Sequence, residues 1–467
     1  MMKLAIVGTG YVGLVTAACL TKAGNEVTCI DNNSSKLARV VAGELPFHEP
    51  QLQGLVDEGR AAGRLRLTGS LRDGVQDASI IFLSIGTPSA ADGCADTSSL
   101  LACATNLAEM LDHDCLVVVK STAPVGTCDT LQQIFQATLR ARRADLHVEV
   151  ACNPEFLAEG SAVRDFLAPA RIVIGTASAQ ATAMLRKLYS PFDADGKRIQ
   201  VMTLRSAEFA KYACNAMLAA RVSMVNELAA IAAQMGADMD AVSGVLRTDP
   251  RLGGRYLQPG VGYGGSCLPK DLRALIRMAQ DRQEPATLLR SVELVNQRQV
   301  RLLFDAIRQY VRGDLGHCRI AVWGLSFKPD TDDIREAPSL ILIRMLLDAG
   351  AQVSAYDPVA NKAVRRVIHD PALSLTDDAY VACDGSHALV VITEWDEFRS
   401  PDFPRLARCL ASPAVFDARN LYRCEELSEF GLRHYRIGQA DKAHKQAVPT
   451  RFVESPDRSE LRHTGGY

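Results

Sequence analysis

Residues 3–13, KLAIVGTGYVG, constrain what this chain can fold into more than any other stretch. A short apolar run ends directly in three glycines spaced as GxGxxG, at Gly8, Gly10 and Gly13, and a helical pattern follows to about Ala23. In that setting each glycine has a mechanical reason. The first permits a tight turn, the second lets backbone approach a pyrophosphate, and the third lets helix pack on strand. The helix N-terminus then offers free N–H groups to phosphates. Gly24 ends the helix, and EVTCI at 26–30 reads as a second strand closing on Asp31. A carboxylate there accepts hydrogen bonds from a ribose 2′-OH and repels a 2′-phosphate, so the unit predicts NAD rather than NADP. The first twenty residues, a lysine and then an apolar run, have the outline of a secretory leader. The glycines inside the run suit a nucleotide turn better.

The pattern repeats. SIIFLSIGTP at 79–88 and LVVVKSTAPVG at 116–126 are apolar strands running into turn residues. Strands alternating with helices predict a doubly wound parallel sheet. From Ser206 the texture changes to an Ala- and Leu-rich segment that reads as one helix of almost thirty residues, followed by helical patterns at 270–281 and 286–312. At 319 the α/β texture returns: RIAVWGLS echoes KLAIVGTG, and LLDAGAQVSAYDP echoes LTKAGNEVTCIDN. The expected architecture is two Rossmann-like α/β domains, 1–200 and 313–439, joined by an all-helical domain, 201–312, with a long central helix. The second α/β domain lacks the full glycine fingerprint, so its ligand need not be a dinucleotide. Residues 440–467 are polar and predict a disordered tail.

Composition closes off other classes. Lys plus Arg (52) nearly balances Asp plus Glu (54), which gives the chain no electrostatic reason to seek nucleic acid or an anionic membrane. The 13 cysteines include no CxxC pair and the histidines are scattered, which argues against zinc and against a disulfide framework and fits a reducing, cytoplasmic compartment. No stretch approaches 18 consecutive apolar residues, so no membrane span is expected.

Several residues are candidates for chemistry. In PGVGYGGSCLPKD, glycines crowd the segment before Cys267, and Pro269 suits a first helical turn. A thiol at a helix N-terminus beside Lys270 is expected to have a lowered pKa. The residues alone leave it open whether Cys267 is a nucleophile or a buried structural thiol. Lys211 and Asn215 share a helix face. They read either as part of a solvated stripe with Glu208 or as partners of a ligand oxygen. Glu155, Glu159 and Thr122 fall where strands of the first sheet should end, which is where ligands bind; Ser121, Thr122 and Ser161 equally suit helix caps. Lys328 and Arg335 bracket a carboxylate-rich turn at the phosphate-binding position of the second α/β unit and suit an anionic ligand.

The strings GTGYVGLVTA, GELPFHEPQL, KSTAPVGT, NPEFLAEGSAVRDF, KYACNAMLA, DPRLGGRYLQPGVGYGGSCLPKD, GLSFKPDTDDIREAPS and ITEWDEF, in that order, resemble the UDP-glucose/GDP-mannose dehydrogenase family over about residues 1–438. The resemblance implies oxidation of a nucleotide sugar's CH2OH to a carboxylate with two NAD and no metal, and leans to UDP-glucose as the sugar. It implies Cys267 as the nucleophile of a thiohemiacetal and thioester, with Lys211 and Asn215 stabilising oxyanions and Thr122, Glu159 and Asp271 serving the hydrolytic water. It implies NAD contacts from Val12, Asp31, Lys36, Thr87, Thr122, Glu159, Lys270 and Arg335. It implies sugar-nucleotide contacts from Glu155, Phe156, Leu157, Ala158, Glu159, Lys211, Asn215, Tyr256, Leu257, Gln258, Pro259, Gly260, Gly264 and Lys328. Arg251 resembles a residue that reaches a neighbouring subunit's substrate, and a homodimer or higher homo-oligomer is implied. Two departures stand out: Ala158 replaces the family's usual arginine, and GGRYLQPG is not the commonest form of the base loop. Competing readings are the same chemistry on GDP-mannose or an N-acetylated UDP sugar, a two-electron β-hydroxyacid dehydrogenase, and a catalytically inert binding protein. Cys267 and the third domain argue against the second, and the full set of polar residues against the third.

Overall fold

The computed structural model describes residues 1–439; the expected tail lies outside the described residues. The chain begins with an eight-stranded sheet: β1 (Lys3–Val7), β2 (Glu26–Ile30), β3 (Leu65–Thr68), β4 (Ile80–Leu83), β5 (Cys115–Val119), β6 (Val148–Cys152), β7 (Ile172–Gly175) and β8 (Ile199–Met202), in the order β3-β2-β1-β4-β5-β6-β7-β8. Strands β4 and β5 are buried along their whole length, as near-continuous Val, Ile and Leu runs require when helices cover both faces of a parallel sheet. One junction departs from the parallel expectation: β6 and β7 pair antiparallel. Between them the chain is spent on the 153–161 loop and a six-residue helix, Ala162–Leu167, so it returns beside β6 in the opposite sense.

The helix Leu204–Met235 follows, 32 residues long, capped by Thr203 at its start and by left-handed Gly236 at its end. By length and composition it is apolar enough to cross a membrane. Its buried face, however, holds Glu208, Lys211, Asn215 and Asn226 and packs on the helices Leu268–Gln280 and Thr287–Tyr310, which makes it the spine of a helical domain.

The second sheet is fully parallel: β9 (Arg319–Trp323), β10 (Gln352–Tyr356), β11 (Leu373–Leu375), β12 (Ala388–Val391), β13 (Ala414–Asp417) and β14 (Arg433–Arg436), in the order β11-β10-β9-β12-β13-β14. The echo between the two sheets extends to detail. Gly8 after β1 and Gly324 after β9 both have positive φ, +99° and +92°. Asp31 accepts from Thr9 N, and Asp357 at the matching position after β10 accepts from Leu325 N and Ser326 N. Asp357 is only 1 % exposed and also takes the Trp395 indole N–H and the N–H groups of Val359 and Ala360. Saturated by protein donors, it is a brace and has no capacity for a ribose.

Candidate active site

The dinucleotide turn is built as its glycines require. A Cβ on Gly13 would lie 1.8 Å from the Gly8 carbonyl oxygen, and one on Gly8 would lie 2.4 Å from Ser84 O. Gly10 has nothing within 4 Å of its Cβ direction, and the Tyr11–Lys22 helix has no side-chain cap on its first N–H groups. Open space in front of uncapped N–H groups fits a pyrophosphate. Val12 lies half-buried in the first turn of that helix. Asp31 Oδ2 accepts from Thr9 N (2.8 Å), Thr9 Oγ1 (2.7 Å) and Lys36 Nζ (2.7 Å). Burial pushes the Asp31 carboxyl up, but these bonds outweigh it and hold the pKa at about 2. Thr87 Oγ1 donates to Thr122 O at 2.6 Å, tying the ends of β4 and β5 together beside the turn.

Lys36 is therefore held by Asp31 and kept from other anions. Asp31→Ser releases it towards a 2′-phosphate. The expected outcome is a preference shifted towards NADP+ by about tenfold or more, the size of one charge-assisted hydrogen bond. Steady-state kcat/KM for both dinucleotides checks this, and an unchanged ratio would remove Asp31 from cofactor selection.

Cys267 is the N-cap residue of the Leu268–Gln280 helix, as the sequence suggests. Its acidity differs from expectation. Burial pushes the thiol up to about 11, Glu155 and Asp271 push the same way, and Lys211 pulls down without prevailing. Lys270, expected beside the thiol, instead binds Asp271 Oδ1 at 2.6 Å. Ser266 Oγ lies 3.5 Å from Cys267 Sγ and donates to Glu159 Oε1 at 3.0 Å.

Lys211 and Asn215 are not on a solvated stripe. Lys211 is 3 % exposed and pairs with Glu155 Oε1 at 2.9 Å; Asn215 Nδ2 donates to Asp271 Oδ2 at 2.6 Å. Burial alone would pull the Lys211 ammonium down, but Glu155, with Cys267 and Asp271, overrides it and keeps the cation charged. Glu208 is buried as well and caps the Thr127–Ala141 helix through Gly126 N (2.6 Å) and Cys128 N (2.7 Å). The alternative capping roles also fail. Ser121 Oγ donates to Leu83 O and Ile85 O, and the helix after Ser161 is capped by Glu49, which accepts from Ala162 N at 2.8 Å. Thr122 stays half-buried at the end of β5, five residues ahead of the nearest helix.

The 155–159 loop is folded on itself. Leu157 N donates to Glu155 Oε2 at 2.6 Å and Ala158 N to Asp165 Oδ2 at 3.1 Å. The Phe156 ring carries Arg171 at 3.9 Å and Lys211 at 5.4 Å. Glu159 is 8 % exposed and meets the third domain: Arg335 Nη2 lies 3.4 Å from its Oε1. Burial and the neighbouring Asp333 carboxylate push the Glu159 pKa well above the carboxylate range, while Arg335 and Ser266 pull it back. Lys328 is depressed by burial and feels Glu159 and Cys267.

Of the base-loop residues, Gln258 Nε2 donates to Asn420 O at 3.2 Å, and buried Gly260 donates its N–H to Asn226 Oδ1 at 2.8 Å. Pro259 is buried and Leu257 half-buried. Gly264 must be glycine, since a Cβ would lie 2.2 Å from Glu336 O. Two candidates are not drawn in. Arg251 is exposed and bound to Asp249 two residues away (2.7 Å), and Tyr256 is exposed with φ +61°.

Sequence reasoning missed Glu49, Asn153, Lys120, Ser266 and Asp333. Lys120 is buried against Asn153 Oδ1 (3.1 Å) and the Phe166 and Tyr189 rings, and burial drops its pKa to about 8. The only sequence signal for it was a lysine directly after a fully apolar strand. Among the described residues no His, Cys, Asp or Glu cluster has metal-site geometry, and all 13 cysteines are free thiols.

A dinucleotide turn, a strand-end carboxylate and a half-buried thiol set among buried charged groups define a dinucleotide-dependent oxidoreductase. Comparison with known proteins narrows the class. Residues 2–193, 205–298 and 321–424 match the NAD binding, central and UDP binding domains of one family. The chain belongs to the UDP-glucose/GDP-mannose dehydrogenase family, and its cofactor is NAD. It is 44% identical to a UDP-glucose 6-dehydrogenase of Pseudomonas aeruginosa, over 96% of this chain and 99% of that one. It is 40% identical to one of Rhizobium meliloti, over 94% and 100%. A UDP-glucose dehydrogenase structure from Pyrobaculum islandicum superposes with a TM-score of 0.86 at 32% identity, covering 94% of this chain and 98% of that one.

Proposed function

We propose that this protein oxidises UDP-glucose to UDP-glucuronate, with C6 passing from alcohol through aldehyde to carboxylate. NAD, when bound, accepts one hydride in each of the two oxidations. The remaining work falls to the chain's own residues. The Cys267 sulfur bonds to the aldehyde carbon while the thiol proton ends on the former carbonyl oxygen. The charged Lys211, held by Glu155, and the Asn215 amide favour the oxyanion that develops there. After the second oxidation the carbon is a thioester. Water adds to it, the C–S bond breaks and the thiol regains its proton, with Glu159, Thr122 and Asp271 placing and deprotonating the water. In sum, alcohol, water and two NAD+ give carboxylate, two NADH and three protons. The observation that carries this reading is the shared setting of Cys267, Lys211, Asn215 and Asp271: a half-buried thiol beside a buried cation and a buried, hydrogen-bonded carboxylate where the helical domain meets the first sheet.

The remaining assignments belong to the same proposal. NAD contacts fall to Gly8, Gly10, Val12, Gly13, Asp31, Lys36, Thr87, Thr122, Glu159, Lys270 and Arg335. The sugar nucleotide falls to the 155–159 loop, Lys211, Asn215, residues 256–260, Gly264 and Lys328. A homodimer is supported by the exposed apolar stripe Phe209, Met217, Met224, Leu228, Ile231 and Met235 along the long helix, a seam that water would otherwise wet. Exposed Arg251 fits a role across that seam, and 13 unpaired thiols fit the cytoplasm.

The expected result is two NADH per UDP-glucose consumed, followed at 340 nm, with little turnover of UDP-N-acetylglucosamine, UDP-N-acetylmannosamine or GDP-mannose. One NADH per sugar would remove the thioester. Preference for another sugar would overturn the substrate.

A further inference from the structure

Glu49 holds none of the reacting groups, yet four donors from two distant segments converge on its carboxylate. Tyr11 Oη (2.9 Å) and Gly160 N (2.6 Å) donate to Oε2, and Ala162 N (2.8 Å) and Val163 N (3.4 Å) to Oε1. The residue is 5 % exposed. Tyr11 is the first residue of the helix that opens on the dinucleotide turn. Gly160 directly follows Glu159.

The next residue back ties in a third segment: His48 N donates to Asp332 Oδ1 at 2.8 Å, in the 324–337 loop of the third domain. Gly160 abuts that same loop. Its φ is +80°, and a Cβ there would lie 2.9 Å from Asp330 Cβ and 3.0 Å from Pro329 O. Residues 48 and 49 thus pin together the cofactor turn, the loop that carries Glu159, and the third-domain loop that carries Lys328 and Arg335. A buried carboxylate tolerates the loss of a donor badly, so these three segments cannot shift independently.

We propose that Glu49 is a positioning residue that couples dinucleotide binding at the glycine turn to the placement of Glu159 and to the docking of the third-domain loop. The inference rests on the reading of the 155–159 loop as a sugar-nucleotide loop. By linkage, what NAD does to sugar-nucleotide affinity the sugar nucleotide does to NAD affinity, by the same factor.

The test is calorimetric titration of UDP-glucose into the full-length enzyme with and without saturating NADH, a pairing that does not turn over. The wild type is expected to bind UDP-glucose about five- to twentyfold tighter when NADH is present, within the usual span of coupling between sites. Tyr11→Phe keeps the ring against Phe47 (centroids 5.3 Å apart) and deletes one donor to Glu49. It is expected to lower the factor to about twofold, a drop within the roughly tenfold or more that one hydrogen bond to a charged group can carry, while UDP-glucose affinity measured alone stays within about twofold. A purely structural role would weaken both titrations equally and leave the factor intact, and that result overturns the proposal, as does a factor of one in the wild type. Should Tyr11→Phe fail to fold, Asp332→Ala, which removes the acceptor of His48 N, decides in its place on the same criterion. Failure of the wild type to bind UDP-glucose would remove the proposed substrate and this inference together. Binding without coupling removes the inference alone.

Discussion

Cys267→Ser is expected to cut steady-state formation of the uronate by roughly three orders of magnitude or more, the cost of losing a covalent nucleophile. A serine hydroxyl is far less acidic than a thiol, and it forms at best an ester, a poorer acyl donor to water than a thioester. The first oxidation does not use the sulfur. Single-turnover mixing should therefore still yield up to one NADH per active site and then stop. Rapid-quench analysis of the sugar product, alongside absorbance, separates the two phases. Uronate production within tenfold of wild type would sink the covalent mechanism.

The same thiol carries a pH dependence with a definite sign. In the free protein it sits at about 11, because burial disfavours the thiolate and Glu155 and Asp271 add to the penalty. Below that value the thiolate is a minor species whose population rises about tenfold per pH unit. Alkylation of Cys267 by iodoacetamide should climb with that slope from neutral pH to about pH 10. A plateau below pH 9 would show that Lys211 wins over burial. The sign could not be read from the sequence, where a helix N-terminus and an adjacent lysine argue for a lowered pKa. Lys270 is spent on Asp271, and the groups that decide the balance, Glu155 and Lys211, stand 112 and 56 residues away in the chain.

That contrast separates what local sequence shows from what it hides. The glycine turn, Asp31, the long helix and the echo of the first α/β unit in the last were legible because each is enforced within about thirty residues by backbone sterics and periodicity. Glu159 is different. Its raised pKa comes from burial under a loop further on, which brings Asp333 and Arg335, the latter 176 residues away in the chain, against it. Glu49 is likewise silent: an acidic residue between His48 and Pro50 gives no hint that it will be buried with four donors. The antiparallel step between β6 and β7 was hidden for a related reason, since a short helix with strand-like flanks reads the same whichever way the chain returns.

The largest remaining effect is expected at Lys211, where stability and catalysis must be separated. Lys211→Met strands Glu155 as an unpaired buried carboxylate, and breaking a buried pair in this way costs about 3–5 kcal/mol. Much of any activity loss in that variant would reflect unfolding. The double variant Lys211→Met/Glu155→Gln removes both charges, and replacing a buried pair by neutral groups of similar volume is close to neutral for stability. If the lysine only held the fold, the double variant would recover activity along with its melting temperature. If the cation favours the oxyanion on C6, the double variant should melt within a few degrees of wild type yet keep a kcat depressed by about 100- to 1000-fold, the size of one oxyanion contact in a dry site. Cys267 supplies an independent readout. With Lys211 gone, the charge that pulls the thiol pKa down is lost and only the Ser266 hydrogen bond still lowers it. With Glu155 neutral, one of those pushing it up is lost too. The alkylation rate of the double variant should therefore stay near that of wild type, while Lys211→Met alone reacts more slowly at every pH below about 10. Recovery of kcat in a stable double variant would leave Lys211 as a structural cation and move oxyanion stabilisation to Asn215.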